Sequence, residues 1–178
     1  PATARYSVIE PNWLAVFEPA GNFQLVDIAT GQTIIDEKLE PAGDLQTIQT
    51  LKFNDELYLF VSAQNAQQFK PIGQQLEYPL INGPVYAFDL KTGKALWPTP
   101  AIVRNRGLVM QQPADIPLLV FADRQMVRDA ASGGGSQLRV LCLDRRTGQT
   151  VYRNDALTDT SAPRFRIHGD LDSIPQVA

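Results

Sequence analysis

One cysteine, one histidine and two methionines among 178 residues remove whole classes of chemistry from this chain. Cys142 has no partner for an internal disulfide, a CxxC metal knuckle or a CxxCH haem attachment. His168 by itself cannot supply a multi-histidine zinc centre, and a Ser-His-Asp arrangement away from it is excluded. Positive charge is not in excess: 16 Lys and Arg stand against 19 Asp and Glu, a formal net charge of -3. No broad basic field is therefore offered to nucleic acid or anionic lipid, and neither is expected as a partner. No run of about 18 apolar residues exists to cross a bilayer as a helix, so no membrane span is expected. The start, PATARYSVIE, has no charged head followed by an apolar stretch and no initiating Met. It is expected to be a processed end or a boundary within a longer protein.

What the chain does have is apolar content, 44% of its residues, enough for a sizeable core. It also has one stretch that recurs. AFDLKTGKALW at 87–97 is matched by LVDIATGQTII at 25–35 and CLDRRTGQTVY at 142–152. The shared skeleton is a small or apolar residue, then Asp, Thr-Gly, and a large apolar residue at the eleventh position. Its members are Asp27, Thr30 and Gly31; Ala87, Asp89, Thr92, Gly93 and Trp97; and Asp144, Thr147, Gly148 and Tyr152. The three glycines can take the positive φ of a tight bend, and the Asp and Thr oxygens can bond free backbone groups there. Each copy reads as strand, turn, strand. Thr33-Ile34-Ile35, Ala95-Leu96-Trp97 and Thr150-Val151-Tyr152 are expected to open the outgoing strands.

Upstream of each copy lies a second pair of apolar runs split by Pro, Asn or Asp: YSVIEPNWLAVFE, LQTIQTLKFNDELYLFVS and GLVMQQPADIPLLVFAD. Helical periodicity is nearly absent, so every repeat is expected to hold four strands. Four short antiparallel strands recurring about every 40 to 60 residues point to an all-β fold built of propeller blades. The expected blades are 5–40, 44–103 and 106–157, with 163–178 beginning a further blade or forming a tail. Three blades cannot close a ring of the usual four to eight or so. The whole of 1–178 is therefore expected to be a partial propeller. Its open apolar faces would be covered by the remaining blades of the same propeller or by a second chain, as a homodimer.

The motif residues resemble the tryptophan-docking motif of the quinoprotein-like family of PQQ-like repeat propellers. The middle copy, Ala87-x-Asp89-x-x-Thr92-Gly93-x-x-x-Trp97, matches at every motif position. The third has Cys142 and Tyr152 in place of Ala and Trp, and the first has Leu25 and Ile35. The resemblance spans residues 5–155 or so, and its weight comes from recurrence. It implies that Trp97 packs against the motif of a neighbouring blade. It also implies an extracytoplasmic setting, periplasmic or cell envelope, whose signal is not in this chain. Some members of the family bind no quinone and act as scaffolds, and this sequence resembles that branch. Others are quinone-dependent dehydrogenases holding PQQ and calcium at the propeller axis, an alternative that would need blades absent here.

Most remaining features have a structural reading. Cys142 shares the register of Ala87 and Leu25 and is expected to be a small buried core residue. Trp97 and Tyr152 are expected in core packing, with Trp13 beside its Pro-Asn bend less defined. The motif aspartates are expected to brace turns, because a catalytic carboxylate is not required once per blade. SGGGS at 132–136 lacks the spacing and the lysine of a phosphate loop. His168, with Asp170 and Asp172, is expected to be structural or solvent-facing. The long insertion at 62–83, between the second and third strands of the second blade, offers Phe69 and Tyr78 as a candidate interaction surface. No catalytic, metal-binding or cofactor-binding residue is assigned, and no cofactor is expected. The expected function is a non-catalytic binding scaffold with a protein or peptide partner.

Overall fold

The computed structural model describes residues 3–9, 12–63, 79–113, 115–127 and 135–158. Among them there are strands and turns but no helix, and three antiparallel sheets of four, four and three strands, none closed into a ring. Sheet 1 has the order β1 (Arg5–Ile9), β2 (Trp13–Phe17), β3 (Asn22–Asp27) and β4 (Thr33–Lys38). Sheet 2 follows as β5 (Leu45–Phe53), β6 (Glu56–Ala63), β7 (Leu80–Asp89) and β8 (Ala101–Gly107). Sheet 3 contains β9 (Leu118–Val127), β10 (Gly135–Asp144) and β11 (Thr150–Thr158), with β10 in the middle. The fold is all-β with blade-type sheets and an incomplete ring. Two compact units divide it: one holds sheet 1 and most of sheet 2, the other holds sheet 3.

In the first unit, alternation along each strand sorts side chains to opposite faces. Ala15, Phe17, Phe23, Leu25 and Ile35 of sheet 1 are at most 1% exposed, and with Leu57, Leu59, Val61, Tyr86 and Phe88 of sheet 2 they make one core. Full burial of one such aliphatic or phenyl side chain contributes about 1.5–3 kcal/mol. Phe23 and Phe88 stack across the two sheets with centroids 5.1 Å apart. At the inner strands the Ser7 and Thr50 hydroxyls lie 3.1 Å apart in a hydrogen bond. Lys52 places its ammonium 4.5 Å from the centre of the Trp13 ring. The β5–β6 bend turns on Asn54 at φ 53°, a left-handed conformation that asparagine tolerates.

Two expectations about strands are corrected. Ala95-Leu96-Trp97 does not open a regular outgoing strand: Ala95 makes a single bridge to Phe88, Leu96 N–H donates to the Ala87 carbonyl, and a bend follows before β8 begins at Ala101. Pro98 and Pro100 explain this, since neither has an N–H for a ladder and each fixes φ.

The third repeat, expected to carry four strands, has three among the described residues. Its innermost strand is reduced to a Leu108–Phe121 bridge and a bond from Val109 N–H to the Val120 carbonyl. The side chain of Gln112 takes over from there. Its amide oxygen accepts from Val120 N–H at 2.7 Å and its amide nitrogen donates to the Val120 carbonyl at 2.9 Å and to the Val109 carbonyl, so a primary amide stands where a backbone peptide would. Gln112→Leu is therefore expected to destabilise by about 1–3 kcal/mol, because it orphans a buried backbone N–H and carbonyl. Gln112→Glu, which cannot donate when ionised, should recover little of that loss in urea titrations.

Candidate functional site

The three Asp-x-x-Thr-Gly turns share one backbone geometry. The N–H groups of Asp27, Asp89 and Asp144 donate to the carbonyls of Gln32, Lys94 and Gln149 at 2.8–2.9 Å. Gly31, Gly93 and Gly148 N–H donate back to the aspartate carbonyls at 2.8 Å, with φ of 73°, 70° and 73°. Asp27 Oδ1 accepts from Ala29 and Thr30 N–H, Asp89 Oδ1 from Lys91 and Thr92 N–H, and Asp144 Oδ1 from Arg146 N–H. The hydroxyls of Thr30, Thr92 and Thr147 accept from the N–H two residues on, at 3.3–3.4 Å. Each turn is also tied to the bend before its sheet's second ladder. Ile28, Leu90 and Arg145 N–H donate to the carbonyls of Asn12, Asp55 and Pro117 at 2.7–2.8 Å.

These bonds favour the ionised carboxylates. Backbone bonds from Thr30 at Asp27, and from Thr92 and Lys91 at Asp89, hold both below the usual carboxylate range. At Asp144 the Arg146 side chain is the larger cause, followed by its backbone N–H. A carboxylate with a depressed folded pKa adds stability that is complete above its unfolded pKa and is lost as pH falls through the folded value. Stability should hold at neutral pH and decline on acidification through and below the carboxylate range. Asn at 27, 89 and 144 keeps an acceptor oxygen but cannot titrate. Thermal melts of that triple variant should show a shallower acid limb, and an unchanged limb would remove the turns as its source.

The residues at the first and eleventh motif positions meet across the hairpin in two of the three copies, each beside a register shift: Leu25 faces Ile35 and Cys142 faces Tyr152. Trp97 is buried, 5.8 Å from the Tyr58 ring at 52°. Tyr152, expected in core packing, is instead 46% exposed. Position on an edge strand does not account for this, since Ile35 on β4, also an edge strand among the described residues, is 1% exposed in the core shared with sheet 2. Cys142 lies in an apolar cluster with Val109, Val120, Ala122 and Val140, where burial pushes its thiol pKa up and suppresses the thiolate. Trp13 is engaged structurally, under the Lys52 ammonium.

One charged network was not read from the sequence. On sheet 3, Arg139 grips Asp123 with Nε at 2.6 Å and Nη2 at 2.7 Å, and Asp123 also accepts from Gly107 N–H at 3.2 Å. Asp155 accepts from Arg106 and, at 2.8 Å, from Arg153. Asp123 and Arg139 are direct cross-strand partners, so only the β9–β10 register could have announced them. Gln112 had no local signal at all. Phe69 and Tyr78, together with His168, Asp170 and Asp172, lie outside the described residues. Among the described residues no group of three or more His, Cys, Asp or Glu is placed to hold a metal ion. Among the described residues no helix is long and apolar enough to cross a membrane.

No protein-family model matches this sequence, and neither does any curated protein. Solved structures that are similar at low identity include the following three. The computationally designed Ika4 protein is 16% identical with a TM-score of 0.44, over 87% of this chain and 72% of that one. The computationally designed Ika8 protein is 13% identical with a TM-score of 0.29, over 88% of this chain and 63% of that one. BamB from Moraxella catarrhalis is 16% identical with a TM-score of 0.22, over 83% of this chain and 62% of that one. No residue role is carried over from any of them.

Proposed function

We propose that this chain is a segment of a PQQ-like propeller acting as a non-catalytic scaffold for a protein or peptide partner, in an extracytoplasmic setting. The observation that carries this reading is where the repeated polar chemistry goes. In all three turns an aspartate oxygen and the threonine hydroxyl accept from backbone N–H groups of the same turn, and at Asp144 the second oxygen pairs with Arg146. Groups committed in this way brace a sheet and are not free to act on a substrate. On this reading the blades run 5–40, 44–103 and 106–157, Trp97 is the docking aromatic of the middle blade, and Phe69 and Tyr78 belong to a contact loop. The extracytoplasmic setting and the branch without quinone rest on the motif resemblance.

Because the alternative site needs blades absent here, titration of the full-length parent protein with pyrroloquinoline quinone and calcium tests the reading. The expected result is no saturable one-to-one change in quinone absorbance and no dye reduction with an alcohol or a sugar. Stoichiometric binding would overturn the scaffold reading in favour of a dehydrogenase segment.

A further inference from the structure

We draw no further inference here: the strongest candidate, the partly exposed apolar face of sheet 1 lined by Tyr6, Val8, Leu14 and Val16, carries none because nothing in the structure shows what covers it.

Discussion

Replacing Trp97 with Ala is expected to cost about 3–5 kcal/mol of folding stability, the range for removing a buried indole. Trp97 is 5% exposed, and its ring lies against Tyr58, which is fully buried. Tyr58 is not free to swing into the space, because its hydroxyl donates to Glu56 at 2.5 Å. A cavity that cannot collapse carries the larger penalty. For a chain of this size each kcal/mol shifts the melting temperature by roughly 2–4 °C, so a fall of about 6–20 °C should follow. Trp97→Phe keeps a ring against Tyr58 and should lose much less. An alanine variant that melts with the parent would show that the indole is not a packing element, and would remove its proposed docking role.

Alanine at Gly93 should be far more damaging than alanine at Gly31, although the two glycines hold the same place in the same turn. Both take a positive φ, 70° and 73°, where a side chain costs about 1–2 kcal/mol. They differ in what surrounds them. A Cβ on Gly31 meets nothing within 4 Å, whereas one on Gly93 falls 2.4 Å from the carbonyl oxygen of Ile34 in sheet 1. Backbone must move to admit it, which adds about 1–3 kcal/mol of overpacking. Paired urea titrations should therefore give a clearly larger loss for Gly93→Ala. Equal losses would mean that the second turn does not bear on sheet 1 as the structure has it.

The turn itself is local chemistry: the Asp and Thr side chains, the Gly φ and the backbone of six consecutive residues make the bend, so the recurrence was legible without coordinates. Leu25 opposite Ile35 follows from hairpin spacing in the same way. The fate of Ala95-Leu96-Trp97 is legible in principle, since Pro98 and Pro100 stand next to it and neither can donate to a ladder.

Tyr152 failed for a different reason. Ladder position is local, but burial depends on whether another sheet lies over that position, and no residue near Tyr152 encodes that. Gln112 and the Asp123–Arg139 pair were invisible for a related reason. Each acquires its role only when strands distant in sequence are brought into register, and a glutamine replacing a strand has the same local appearance as a glutamine in a loop.

By itself the sequence determined that this is an all-β chain of repeated strand-turn-strand units, because alternation, Thr-Gly bends and the scarcity of His and Cys are properties of short windows and of composition. Only the tertiary structure decided which faces are covered, that the third sheet ends in a side-chain amide rather than a full strand, and that the same glycine is free in one turn and crowded in another. Those outcomes depend on distances between segments far apart in the chain, set by the packing of one sheet on the next.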